Sequence, residues 1–359
     1  MQEKIELLKT LSLAFGPSGL EDEVRSIIEK EISPFITDIS SDALGNLIAF
    51  LPADKQRETA PTLMLCAHMD EVGLMITGYD ENGFLRFDEI GGLSEKIVPG
   101  RRVTIFARDS KKISGVISVK PTHLQQKDER DSVTPLSEMY IDVGAKSKAE
   151  AEATVDIGDC AVFDSDFVIF GENGSKVKCK ALDDRLGCAV LINLIKRLSK
   201  ERVLRNFNIA FCFTTREETG LSGALTVAKR LSPEYAVIVE TTAVSDIYGT
   251  PSHMRVAELG HGGAISIADR STVYDRHFVN FCLRYKDELP VQLKEYVSGG
   301  NDASHIHRAS DGCHVLALSA PTRYLHSPAC VSDTRDYYAM EELLYRIVRD
   351  FELLQKREV

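Results

Sequence analysis

The apolar residues of EKIELLKTLSLAF recur at helical spacing and the run stops at Gly16-Pro17. Ser18 stands three residues ahead of Glu21, a capping-box pattern that opens a second helix, EDEVRSIIEKEI. NLIAFLP and TLMLCAH read as strands. From residue 70 to 165 the runs shorten, glycines recur and β-branched residues alternate with charges: LMITGYD, FLRFDEI, RRVTIFARD, KISGVISV, CAVFDSD. This predicts a small, mainly β domain, with the polar stretch HLQQKDERDSVTPLSE as a surface loop. Helices and apolar strands then alternate: helix DDRLGCAVLINLIKRL, strand FNIAFCFTT, helix LSGALTVAKRL and strand AVIVETT. A mixed segment from Asp287 to Ala309, strand HVLALSAP and the amphipathic helix MEELLYRIVRDFELLQKRE complete the chain. The pattern predicts an α/β domain built from residues 1–69 and 166–359, with a β domain of residues 70–165 inserted in it.

A length of 359 residues exceeds what one core organises and agrees with two domains. The net charge of -11 argues against nucleic-acid binding, which needs clustered Lys and Arg. No apolar stretch approaches the roughly 20 residues that cross a bilayer, and the charged N-terminal MQEKIELLKT is unlike a signal peptide. The eight cysteines are scattered, without a C-x-x-C pair. They read as buried, reduced thiols of a cytoplasmic protein rather than a disulfide framework or a thiolate zinc site.

The chemistry collects where apolar segments end. TLMLCA ends at His68 and Asp70; FNIAFCFTT at Glu217 and Glu218; AVIVE at Glu240; HVLALSAP runs into Arg323 and His326. Asp183 and Asp184 precede a helix. In open α/β sheets, sites form beyond the carboxyl ends of strands, so these groups are expected in one crevice. Each also has a plain reading: Asp183 or Asp184 as a helix cap, Glu217 and Glu218 as solvated turn charges, His326 as a surface histidine. The H-x-D spacing favours function, because alternation points His68 and Asp70 the same way and Asp70 can then accept from the ring nitrogen that does not face a metal. Imidazole and carboxylate donors without thiolate suit zinc, and also cobalt or manganese. Two histidines do not saturate two metals, so carboxylates must bridge, the composition of a two-metal hydrolase with ions ~3.5–4 Å apart. Of adjacent Glu217 and Glu218, one can bind metal while the other acts as general base. His305 and His307 alternate in ASHIHRAS and are weaker ligand candidates.

Taken in order, GPSGLEDEV, AHMDEVGLMI, FDEIGG, GVISVKPTHL, KALDDRLGCAV, REETGLSGA, SGGNDASHIH and RYLHSP resemble the dinuclear metallo-aminopeptidases of the tetrahedral (TET) type. That family includes glutamyl and deblocking aminopeptidases, and some members carry an endoglucanase name. The resemblance implies a zinc-peptidase-like α/β/α sandwich with an inserted small β-barrel-like domain that makes subunit contacts, twelve subunits forming a hollow particle. It implies two divalent ions per subunit, zinc first. His68 and Glu240 would bind one, Glu218 and His326 the other, and Asp183 would bridge them. Asp70 would orient His68, and Glu217 would be the general base that activates a shared water. The substrates would be short peptides, cleaved at the N-terminal residue.

Two positions depart from the family pattern. Glu240 stands where Asp is common, and in related dinuclear peptidases Glu there accompanies carboxypeptidase or N-acyl-amino-acid deacylase action. Asn301 stands in GGND where the family has GGTD. A scaffold that has lost its metals is disfavoured by the intact ligand set. A glycosidase is disfavoured too, since two-carboxylate chemistry needs no metal and would leave the histidines unexplained. An acidic-residue pocket would draw on a cation such as Arg255, Arg270 or Arg323.

Overall fold

In the computed structural model, residues 2–54, 60–107, 111–126, 132–201, 205–295 and 297–356 are described. Helices α1 (Gln2–Leu13) and α2 (Asp22–Ile32) come first, then strands β1 (Ile39–Ser41), β2 (Leu47–Leu51) and β3 (Thr62–His68). Six strands follow: β4 (Gly73–Tyr79), β5 (Leu85–Ile90), β6 (Arg102–Ala107), β7 (Lys111–Ser118), β8 (Tyr140–Asp142) and, after the short α3 (Lys148–Glu152), β9 (Cys160–Phe163). Next are β10 (Val168–Phe170), β11 (Lys176–Cys179), α4 (Leu182–Glu201), β12 (Asn208–Thr214), α5 (Ser222–Leu231), β13 (Tyr235–Ala243) and β14 (Gly263–Ser266). The chain continues through α6 (Arg276–Leu283), β15 (Val291–Lys294), α7 (Ala303–Ile306), β16 (His314–Arg323), β17 (Cys330–Asp333), α8 (Thr334–Arg349) and α9 (Phe351–Gln355).

The large sheet runs β1-β2-β12-β3-β13-β16-β17-β11-β10, with β14 and β15 branching from β16. Its middle strands β12, β3, β13 and β16 are parallel. They are buried on both faces along almost their whole length, which is why they read as unbroken apolar runs rather than alternating ones. Helices cover them in an α/β/α sandwich, α4 lying across β3 and β13 with α1, α2 and α8 beside it. Strands β4-β5-β8-β7-β6-β9 close into an antiparallel barrel. Alternation there places Leu74, Ile76, Val103, Ile105 and Phe163 in a separate barrel core. The chain enters the barrel five residues after His68, so the same stretch serves both cores.

Three local expectations are corrected. Ser18 and Glu21 form no capping box: α2 begins without a side-chain cap. Ser18 Oγ instead donates to Asp70 Oδ2 (2.5 Å), and Glu21 Oε1 accepts the N–H groups of Gly19 (2.7 Å) and Arg216 (3.1 Å). A charged acceptor across the fold outcompetes the orphan helix amides. The C-terminal helix is not continuous either, because Asp350 leaves helical geometry (φ -105°, ψ 16°) while its carboxylate receives Arg349 and the Tyr285 hydroxyl (2.6 Å). Glu240 lies inside β13 rather than at its end: pairing with β16 continues to Ala243↔Thr322, although pairing with β3 stops at Ile238↔Cys66. The polar stretch from His123 to Glu138 contains short 3-10 turns at Thr122–Leu124 and Leu136–Glu138, and residues 127–131 lie outside the described residues.

Candidate metal centre

The parallel register brings the ligand-type side chains together. His68 is the last residue of β3, and extending the Ile238↔Cys66 pairing by two residues sets Glu240 beside it. The turn after β12 supplies Glu217 and Glu218, the entry to α4 supplies Asp183, and the β16–β17 turn supplies His326. Ala181, Arg216 and His326 have left-handed backbones (φ +52°, +57° and +56°) in these turns. Non-glycine residues are held there only when surrounding contacts over-determine them, and such positions cluster at functional sites.

Asp183 presents its two oxygens to different imidazoles. Oδ1 is 3.3 Å from His68 Nε2, and Oδ2 is 3.6 Å from His326 Nε2. Glu240 Oε1 lies 3.6 Å from the same nitrogen of His68, and Glu218 Oε2 lies 3.3 Å from that of His326. Two groups thus have ligand atoms within 4.8 Å of one another, His68/Asp183/Glu240 and Asp183/Glu218/His326, and they share Asp183. Glu217 stands in a third such group with His68 and Glu218. The outward nitrogens are turned away from this cluster. His68 Nδ1 faces the Asp70 backbone carbonyl (3.1 Å) and Asp70 Oδ1 (3.4 Å), while His326 Nδ1 faces the Gly92 carbonyl (2.8 Å) in the turn after β5. Asp70 also accepts the backbone N–H groups of Glu217 (3.0 Å) and Glu218 (3.1 Å), one on each oxygen.

The electrostatics describe a buried acid cluster that wants positive charge. Burial pushes the Glu218 carboxyl up to about 8, with Asp183 adding to it against the pull of His326. Burial likewise raises Glu240 to about 7 against the pull of His68, and raises Glu217 well above the carboxylate range, Glu240 and Glu218 adding to it. Asp183 is buried too, yet the two imidazoles outweigh that and hold it low. Burial works against the charged form of His326, but Asp183 and Glu218 lift it to about 9. Among the described residues, the direct ion-pair contacts of Asp183, Glu218 and Glu240 are with the two histidines alone. Oxygen and imidazole donors without a thiolate, converging on two points and short of cationic partners, fit hard or borderline divalent ions.

The cluster forms the floor of a cleft of about 500 Å³, walled by Thr241, Thr242, Ser298, Gly299, Gly300 and Lys294. Six of the seven expected residues, His68, Asp183, Glu217, Glu218, Glu240 and His326, line it, and Asp70 is buried behind His68 and the Glu217–Glu218 backbone. His305 and His307 do not: His307 Nδ1 faces the Ala303 carbonyl of its own short helix (2.8 Å), and His305 Nδ1 faces Ser304 Oγ (3.1 Å). Arg323 is taken by Asp246 (2.7 Å) and Arg255 by Glu258 (2.6 Å). Asn301 accepts the N–H of Ala303 and donates to the Tyr274 hydroxyl, shaping the start of α7. Several residues take parts here that the sequence pattern did not signal. Ser18 and Gly92 act through bonds to partners 52 and 234 positions away. Asp184 is wholly buried, and among the described residues its Oδ2 has no hydrogen-bond partner. Asp302 takes Thr214 Oγ1 at 2.8 Å, and burial raises its carboxyl to about 6. Lys294 carries no neighbouring motif at all.

Paired N/O ligand groups at the carboxyl edge of a parallel α/β sheet define a metal-dependent hydrolase. The comparisons with known proteins narrow this. The model of the M42 glutamyl aminopeptidase family matches residues 45–343. A candidate aminopeptidase of Acetivibrio thermocellus is 37% identical over 351 residues, 97% of this chain and 99% of that protein. The crystal structure of a TET aminopeptidase from a marine sediment archaeon, Thaumarchaeota archaeon SCGC AB-539-E09, superposes with a TM-score of 0.94 at 30% identity, covering 99% of each chain. The Pyrococcus horikoshii TET1 peptidase, which assembles into a tetrahedron or a large octahedral shell, superposes with a TM-score of 0.83 at 34% identity, over 96% of this chain and 98% of that one. The chain belongs to the M42 glutamyl aminopeptidase family, and metal-dependent aminopeptidase activity goes with that membership.

Proposed function

We propose that this chain removes N-terminal residues from short peptides using two divalent ions, zinc first and cobalt or manganese next. His68, Asp183 and Glu240 would hold one ion, and Asp183, Glu218 and His326 the other. The observation that carries this reading is the division of Asp183, each oxygen facing a separate imidazole with its own second carboxylate. When bound, such ions polarise the scissile carbonyl and lower the pKa of water. Glu217 takes the proton from the attacking water and returns it to the leaving amine. Its carboxylate stands in one group of converging ligand atoms with His68 and Glu218, beside both proposed ions. Asp70 is a positioning residue: through Oδ1 and Oδ2 it holds the backbone of both base and ligand, and it backs His68. Lys294, the one ammonium among the described residues of the cleft wall, favours an acidic side chain on the first residue.

The same reading divides the chain into a catalytic domain (residues 1–69 and 166–359) and an inserted β domain (70–165) that contributes subunit contacts in a homo-oligomer, a dodecamer. The edge strand β10, with Val168, Ile169 and Phe170 all exposed, fits burial against another copy. Eight free cysteines, seven of them buried, fit a reducing compartment such as the cytoplasm. Among the described residues no helix is long and apolar enough to cross a membrane.

The competing reading, an N-acyl-amino-acid deacylase or carboxypeptidase, is favoured by Glu240. One panel separates them: free-amine aminoacyl chromogenic substrates against N-acylated amino acids and C-terminally free peptides, each with zinc, cobalt and manganese. Turnover confined to free-amine substrates is expected. Preference for N-acylated or C-terminal substrates would overturn the proposal.

A further inference from the structure

The motif FDEIGG is not consumed by the reaction, yet its two glycines touch the centre. Gly91 and Gly92 form the turn that leaves β5, so they belong to the barrel and not to the sheet carrying the ligands. Gly91 has φ +78°, and a Cβ there would stand 2.9 Å from Val72 Cγ1 and 3.1 Å from Glu218 Cβ. The turn therefore lies directly on the residue bearing one ligand carboxylate. One residue on, the Gly92 carbonyl receives His326 Nδ1 at 2.8 Å. Donation from Nδ1 selects the tautomer whose Nε2 lone pair faces Asp183 and Glu218. His68 needs no such help, because its Nδ1 is met by Asp70 from its own segment of chain. His326 sits on a left-handed residue of a short turn, with its side chain 35% exposed. Among the described residues, that carbonyl is the one hydrogen-bond partner of its Nδ1.

We infer that the barrel, through the Gly91–Gly92 turn, positions the Asp183/Glu218/His326 cation site and leaves the His68/Asp183/Glu240 site to the sheet. Both contacts of the turn fall on the same ligand group, so a disturbance of the turn acts on one ion and spares the other. This rests on the two-ion reading above. It makes Gly91 and Gly92 positioning residues, acting through His326 and Glu218.

The test is Gly91→Ala in the full-length protein, stripped with chelator and titrated with zinc by calorimetry, with bound ions counted by mass spectrometry. One ion per subunit binds as in wild type, and the second binds roughly tenfold or more weakly, the usual cost of losing an outer-shell partner. Gly100→Ala is the control. Gly100 shares φ +78° and has nothing within 4 Å of its would-be Cβ, so it carries the backbone strain without the contact, and it should bind both ions normally. Val72→Ala with Gly91→Ala removes one of the two close atoms and keeps the test open if the single variant does not fold. Equal weakening of both ions, or of neither, overturns the inference. A wild-type protein that binds no pair of ions would overturn instead the reading beneath it.

Discussion

Behind the ligands lies a charge network whose disruption has a predictable sign. Lys180 Nζ donates to both oxygens of Glu71 (2.6 and 2.8 Å) and to the Ala14 carbonyl (2.9 Å). Arg185, with no exposed surface, donates to the same Glu71 (3.3 Å) and to the carbonyls of Leu11, Ala14, Gly16 and Met69. One carboxylate thus compensates two buried cations, and the carbonyls of α1, of the turn after it and of the β3 exit carry the rest. Glu71→Gln keeps the shape but leaves both cations without a counter-charge. Breaking a buried pair in this way costs about 3–5 kcal/mol, a large part of the roughly 5–15 kcal/mol that keeps a domain folded. Burial already lowers the Lys180 pKa, and Glu71 pulls it back. In the variant that support is gone and the ammonium gives up its proton more easily. A folded-state pKa below the unfolded value of about 10.4 means the unfolded chain binds more protons between the two, so stability there rises with pH. The loss in Glu71→Gln should therefore shrink from pH 7 toward pH 10. Adding Lys180→Met to Glu71→Gln removes the surplus charge and should recover at least about 1 kcal/mol. Guanidinium unfolding followed by far-UV circular dichroism measures this, since the chain has no tryptophan. A double variant no more resistant than Glu71→Gln alone, or a Glu71→Gln protein within about 1 kcal/mol of wild type, would refute the reasoning.

Three further outcomes are expected. Glu217→Gln should retain both ions by mass spectrometry while kcat falls by about 10²–10⁴-fold, the contribution of a general base; near-full activity would exclude Glu217 from that role. Chelation should abolish turnover and lower the melting temperature, with re-addition of zinc at 100 times its Kd restoring about 2.7 kcal/mol; an unchanged melting curve would mean that the acid cluster does not bind the ions. Burial raises the wholly buried Asp336 to about 7 against the N–H groups of Gly260 and Gly262. Its stabilising effect is present below pH ~4 and is lost as pH rises through 7, by at most about 4 kcal/mol. Asp336→Asn should flatten the fall in stability between pH 4 and 7, and parallel pH profiles would count against the assignment.

The sequence by itself determined most of the elements and marked the ligand-type residues. Strands buried on both faces must be apolar throughout, so TLMLCAH, FNIAFCFTT and AVIVETT stand out, and a His or Glu within or just beyond such a run is conspicuous because nothing local accounts for it. Asp70 was legible for the same kind of reason, since strand alternation relates it to His68 within two residues. Only the tertiary structure decided which partner each polar group takes. Ser18 and Glu21 have a helix start next door, yet both bond across the fold. Lys294 enters the cleft, and Asp302 reaches Thr214 beneath it, from segments without any periodic signal. Gly92 positions His326 from 234 residues away. Apolar burial repeats along the chain and is written in its period, whereas a hydrogen bond or ion pair depends on distance in space and direction, which exist only once the sheet, the barrel and their connecting turns have closed around the centre.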